Sequence, residues 1–140
     1  MNLVVCVKQV PSTETKIRIS SQTGFVDTSD VEWVISPYDE FAIETALRIK
    51  ENLGQGQVTC ISVGPERVKL ALRTCLSMGA DTAMQIWAEA LLGIDPLSLG
   101  RVLAAATRKS GFDVVLCGKQ AIDDDFGVVP QAIAHFLNIP

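Results

Sequence analysis

The run Leu3-Val4-Val5-Cys6-Val7, together with Val58-Thr59-Cys60-Ile61-Ser62-Val63 and Val114-Val115-Leu116-Cys117, decides the fold. Each run is short, rich in β-branched residues and nearly unbroken in its apolar character, as strands covered on both faces are. Between them the apolar period lengthens to that of a helix. Phe41, Ala42, Ala46, Ile49 and Leu53 define one stripe, ending at Gly54. Val68, Ala71, Leu72, Cys75 and Gly79 define a second after Gly64-Pro65. Leu99, Val102, Leu103 and Ala106 define a third, opened by Asp95-Pro96 and closed by Gly111. A weaker strand is expected over Ala83 to Trp87. Strands alternating with helices of this length predict an α/β domain with a doubly wound, mostly parallel sheet. Ligands of such sheets bind beyond the carboxyl ends of the strands, where the winding reverses. The loops after Val7, Ser62 and Cys117 are therefore the places to look.

The rest of the chain fits one globular domain spanning residues 1–140. With 48% hydrophobic and 20% charged residues it can bury a core of its own, which excludes disorder. Sixteen acidic against twelve basic residues give a net charge of −4, and no run of Lys and Arg offers a footprint for nucleic acid. No segment reaches the roughly 18 uninterrupted apolar residues of a membrane helix. Met1-Asn2 runs straight into a strand without a basic leader, so a cytoplasmic location is expected. The stretch Gln9 to Ser36 is too long for a plain connection. Within it, Lys16-Ile17-Arg18-Ile19 alternates polar and apolar and is expected to pair with Val31-Glu32-Trp33-Val34.

Most motifs that carry chemistry are absent. There is no G-x-x-x-x-G-K-[ST], no G-x-G-x-x-G after Val7, no G-x-S-x-G and no H-E-x-x-H. The four cysteines, Cys6, Cys60, Cys75 and Cys117, are far apart in sequence, with no C-x-x-C pair and a single histidine, His135, to help hold a metal. Buried packing is expected of all four. His135 lies on the apolar stretch Ala132 to Leu137 and reads as a partly exposed helical residue. Trp33 and Trp87 read as core or interface anchors, and Lys8 as a side chain snorkelling from a buried strand.

The informative segment is Cys117-Gly118-Lys119-Gln120-Ala121-Ile122-Asp123-Asp124-Asp125-Phe126-Gly127-Val128-Val129-Pro130, which leaves a buried strand and enters a helix. Its glycines allow close backbone approach to a ligand, and the amides of Gly127, Val128 and Val129 precede a helix start, where the dipole favours an anion such as phosphate. Equally, the three aspartates could cap that helix with no ligand involved. Lys119 either meets a phosphate as a point charge or pairs with Asp123 to Asp125.

V-C-V-K-Q-V at Val5 to Val10, S-P-Y-D-E-F-A-I-E-T-A-L-R-I-K at Ser36 to Lys50, S-V-G-P-E at Ser62 to Glu66, L-R-T-C-L-S-M-G-A-D at Leu72 to Asp81 and G-K-Q-A-I-D-D-D at Gly118 to Asp125 together resemble the beta subunit of electron-transfer flavoprotein. The resemblance runs along the chain in register. It implies an adenine-nucleotide alpha-hydrolase-like sheet, and an electron-carrier subunit rather than an enzyme with bond chemistry of its own. It implies AMP, or a second FAD in its place, bound in this subunit, and a heterodimer with an alpha subunit that holds the redox FAD. Dehydrogenases are then transient partners. The nucleotide contacts carried over by motif are Cys6, Ser36, Pro37, Tyr38, Asp39, Val63, Gly118, Lys119, Gln120, Ala121, Ile122, Asp123, Asp124, Asp125, Phe126, Gly127, Val128 and Val129, with no catalytic residue and no metal.

Two departures matter. Phe126, Val128 and Val129 stand where the family usually has Asn, Gln or Thr near the aspartates, so side-chain donors are replaced by groups that cannot donate. Ser36 stands where Asn is usual. The family's subunits also continue well past the position of Pro140, so residues 1–140 are expected to be a nucleotide-binding domain truncated relative to the full subunit. The alternative is a stand-alone adenine-nucleotide regulator similar to universal stress proteins, but its G-x-x-G and later G-[ST] are missing. An ATP-splitting ligase would need an S-G-G-x-D-S loop, which Val7-Lys8-Gln9-Val10-Pro11 does not supply.

Overall fold

A computed structural model describes all residues from Met1 to Pro140. Its central sheet is formed by β1 (Asn2–Cys6), β4 (Gln57–Val63), β5 (Thr82–Ile86) and β6 (Val114–Cys117), all parallel, in the spatial order β5, β4, β1, β6. The strand-like runs of the sequence are these strands, within a residue or so at each end. A short antiparallel pair, β2 (Gln9–Pro11) with β3 (Trp33–Ile35), leaves the sheet after β1. The helices are α1 (Pro37–Leu53), α2 (Val68–Met78), α3 (Pro96–Ser110) and α4 (Val129–Leu137).

Alternate residues of β1 point to opposite faces, and each face builds its own core. Leu3, Val5 and Val7 pack with Ile43 and Ala46 of α1 and with Ala71, Leu72 and Cys75 of α2. Val4 and Cys6 pack with Ile61, with Leu103 and Ala104 of α3, and with Ile133 and Leu137 of α4. The sheet is therefore covered on both sides, and β1 at its centre tolerates no polar side chain.

Three readings of the sequence are corrected. The stripe of α1 is rotated: Ala42, Ile43, Ala46 and Leu47 are buried, while Phe41 and Leu53 are exposed. A helix has room for one such face, and the pairs 42/43 and 46/47, four apart, line it more tightly than a stripe begun at Phe41. The third stripe shifts in the same way, with Gly100, Leu103, Ala104 and Thr107 at its buried centre. The partner of Trp33 to Ile35 is Gln9 to Pro11, not Lys16 to Ile19. Ile19 instead bridges Val26, with the Ser20 and Asp27 amides donating to Phe25 and Arg18 at 2.8 Å each, so the alternating segment closes a small local turn. Alternation predicted a half-buried strand, but Ile17 and Ile19 find no core to face and remain exposed.

The β2–β3 pair is fastened to the start of α2 by a polar latch. Arg67 donates to Oε1 of Gln9 at 2.7 Å, Gln9 Nε2 returns a bond to the Arg67 carbonyl at 3.0 Å, and the guanidinium lies 3.6 Å from the centroid of the Trp33 ring. Buried Gln9 is thus satisfied at both ends of its amide. Trp33 serves as an anchor by stacking, which accounts for its half-burial.

The rotated stripe makes a direct prediction. Ile43→Ala removes a side chain with no solvent exposure and should cost about 2–5 kcal/mol. Phe41→Ala should stay within about 0.5 kcal/mol, because Phe41 is 71% exposed. Urea denaturation of both variants decides between this face and one centred on Phe41.

Candidate nucleotide site

The winding of the sheet fixes where a ligand can enter. From β1 the chain steps outward to β4 and β5, then returns across the sheet to lay β6 on the other side of β1. The connections that leave β1 and β6 therefore diverge at their carboxyl ends and open a crevice. A cleft of about 290 Å³ lies there, floored by Cys6, Val7 and Cys117 and walled by Val63, by the start of α3 and by the segment from Gly118 to Pro130.

One carboxylate spans the crevice. Asp39, in the first turn of α1, accepts from the Lys8 amide at 2.7 Å and from the Gly118 amide at 2.9 Å, so it ties the connection that leaves β1 to the residue that follows β6. Asp39 is buried, and burial pushes its carboxyl up to about 6, although the two amides and the Lys8 charge favour the anion. Gly118 has to be glycine: a Cβ there would collide with Oδ1 of Asp39 and come within 2.8 Å of the Tyr38 Cβ.

Lys8 reaches along the mouth of the cleft to Asp123 and Asp124, with Nζ 2.6 and 2.7 Å from their oxygens. Desolvation works against its charge, but the two carboxylates outweigh it and hold the lysine above its ordinary value. The aspartates do not cap α4. Asp123 and Asp124 take the lysine, Oδ1 of Asp124 also accepts from the Phe126 amide at 3.2 Å, and Asp125 accepts from Gln120 Nε2 at 2.9 Å. The N-cap of α4 is Val128, which has no side-chain acceptor. The amides of Gly127, Val128 and Val129 consequently have no acceptor within the protein. The loop reaches that position through left-handed backbone at Asp125 (φ 52°) and Gly127 (φ 59°), and such conformations persist where the surroundings enforce them.

The residues singled out from sequence are distributed as follows. Cys6, Asp39, Val63, Gly118, Gln120, Ala121, Asp124, Phe126, Gly127 and Val129 line the cleft. Tyr38 and Lys119 line a second, more open groove with Phe41 and Thr45. Ser36 is wholly buried at the N-cap of α1, where its amide donates to the Lys8 carbonyl at 2.9 Å and its hydroxyl has no partner. Pro37 opens α1 at the surface, Ile122 is half-buried, and Val128 is exposed. The lysine that meets the aspartates is Lys8, not Lys119. Cys117 is partly exposed on the cleft floor, whereas Cys6, Cys60 and Cys75 are buried.

Ile94, Pro96, Leu99 and Leu103 also wall the cleft and were not among the site residues expected from sequence. A signal for two of them was present. With Asp95 capping α3 through the amides of Leu97 and Ser98, Ile94 and Leu99 occupy the N′ and N4 positions of a hydrophobic staple.

A family model described as "Electron transfer flavoprotein domain" matches residues 23–140. The chain is 42% identical over 140 residues to the electron transfer flavoprotein subunit beta of Thermoanaerobacterium thermosaccharolyticum, and 43% identical over 140 residues to that of Clostridium acetobutylicum. It is 40% identical over 142 residues to protein FixA of Azotobacter vinelandii. These alignments take in 100%, 100% and 99% of this chain but 53%, 53% and 50% of the relatives, so the chain spans about half their length.

The Asp39 carboxyl sets a pH dependence whose sign is fixed. It is protonated in both states below about pH 4 and ionised in both above about pH 6; between them the folded state holds the proton more tightly. Stability from this group therefore falls as pH rises through that interval, by about 3 kcal/mol for a displacement of about two pH units. Denaturation of the wild type and Asp39→Asn from pH 4 to 7 should show this decline in their difference, with a carboxyl ¹³C titration midpoint near 6. A midpoint near the ordinary 3.8 would mean that Asp39 is solvated and does not hold the two strand ends.

Proposed function

The chain belongs to the electron transfer flavoprotein family, aligning with its beta subunits, and from that premise we propose that it is the nucleotide-binding part of a beta-type subunit, working with a flavin-bearing alpha-type partner. The cleft between β1 and β6 takes an adenine nucleotide, AMP or in its place FAD. Electrons arrive from dehydrogenases that dock transiently and leave to an acceptor through the partner's flavin, which supplies the redox chemistry. This chain's share is structural, with no catalytic residue and no metal ligand, and its setting is the cytoplasm.

The observation that carries this reading is the start of α4: three successive amides without acceptors, at a helix N-terminus, on the rim of a cleft at the point where the winding reverses. The residues fit the group. Val63, Ile94 and Leu99 offer an apolar wall to a planar base. The amides of Gly127, Val128 and Val129 suit the phosphate. Lys8 is already neutralised by Asp123 and Asp124, so phosphate recognition falls to the backbone. Ser36, Pro37 and Tyr38 support the site by setting the start of α1, from which Asp39 reaches the strand ends. A partner subunit is further supported by exposed apolar side chains: Phe41 and Phe126 are 71% and 63% exposed. No helix is long and apolar enough to cross a membrane.

Mass spectrometry of small molecules released on denaturing the purified chain should find adenine nucleotide, with no stoichiometric flavin absorbance before denaturation. Stoichiometric flavin would assign FAD to this cleft, and neither nucleotide nor AMP binding by calorimetry would overturn the reading. The position of the phosphate has its own test. Val129→Thr is nearly isosteric and adds a hydroxyl donor at the first residue of α4, so it should tighten AMP about tenfold, near the lower end of a hydrogen bond to a charged group. Unchanged affinity would place the phosphate away from α4.

A further inference from the structure

We propose that Cys6 and Cys117 form a dithiol site on the cleft floor that captures trivalent arsenicals. The two residues are register partners on adjacent parallel strands, so their side chains leave the same face of the sheet. Both belong to the apolar layer beneath α3 and α4, both line the cleft, and both thiols are free.

The placement suits one bridging atom. Neighbouring strands run about 4.8 Å apart, and Asp39 holds the adjoining Lys8 and Gly118 amides, which fixes the position of these strand ends. A centre bonded to both sulfurs can join two side chains that leave one face at that spacing.

The chemistry of the pair selects that centre. Zinc or copper would require thiolates, but the Cys117 thiol and burial both push the Cys6 thiol well up. No third histidine, cysteine or carboxylate completes a metal-binding group. An organic arsenous acid, R–As(OH)₂, needs only two neutral thiols. Two As–S bonds form and two As–O bonds break, each thiol proton leaves with a hydroxyl as water, and arsenic remains trivalent. The product is uncharged, as an apolar floor requires. The other cysteine pair, Cys60 and Cys75, is wholly buried in the opposite core and provides an internal comparison. Because the arsenical would occupy the floor of the proposed nucleotide cleft, AMP and arsenical should exclude one another; this last clause alone rests on the nucleotide reading.

The test is phenylarsine oxide added to the folded chain, read by intact mass and by titration of the remaining thiols after denaturation. One adduct per chain is expected, with two of the four thiols lost. Cys6→Ala and Cys117→Ala should each abolish the two-thiol adduct, and Cys75→Ala should keep it. If Cys6→Ala loses its circular dichroism, Cys117→Ala decides. No adduct in the wild type, a two-thiol adduct surviving in Cys117→Ala, or one mapped to Cys60 and Cys75 would overturn the proposal. Saturating AMP should slow capture at least tenfold. Capture that depends on Cys6 and Cys117 but ignores AMP would uphold the dithiol site and count against the nucleotide reading.

Discussion

The carboxyl end of this sheet depends on the Asp39 carboxylate, which accepts the Lys8 amide with one oxygen and the Gly118 amide with the other. The two amides belong to connections that part company just there, so no ladder bond can hold them. A buried carboxylate costs free energy when it is desolvated. Two charge-assisted bonds, each worth about 1.5–3 kcal/mol, offset only part of that cost, which leaves the carboxyl titrating at about 6, and the same two bonds hold the crevice at a defined width. The requirement for glycine at position 118 follows from the same contact, since the carboxylate fills the space a side chain would need.

The loop from Gly118 to Val128 is organised around aspartates that are each held by a neighbouring side chain. Lys8 draws Asp123 and Asp124 to the mouth of the cleft, and Gln120 holds Asp125. Exposed ion pairs of this kind add little stability, typically below about 1 kcal/mol. Their effect is positional. By engaging the aspartates elsewhere they leave the start of α4 uncapped, and an uncapped helix start beside a cleft is a place for an anion. Under the proposed reading, a phosphate there is held by backbone amides, without the polar side chains that this chain lacks at Phe126, Val128 and Val129.

Much of the fold was legible because it follows from local chemistry. Apolar runs flanked by turn residues became β1, β4 and β6, and Asp95-Pro96 and Gly111 bounded α3 as capping rules require. The misreadings share one cause. Lys16 to Ile19 has the alternation of a strand, yet alternation states only that one side is apolar, not that a partner exists to cover it. The turn Ser20 to Phe25 closed on itself, and Gln9 to Pro11 took the partner instead. The stripe of α1 was displaced by about one residue because Phe41 is apolar enough to join any face, and only packing against β1 rejects it.

The sequence by itself determined the alternation of strands and helices and the run from Gly118 to Asp125 that carries the family motif, since each is a property of neighbouring residues. Tertiary structure alone decided which lysine meets the aspartates, which carboxylate joins β1 to β6, and that Cys6 and Cys117 are neighbours. Those pairs are separated by 115, 79 and 111 positions in the chain, and only the return of the chain across the sheet brings them together. Local propensity carries no record of that crossing, whereas strand order does.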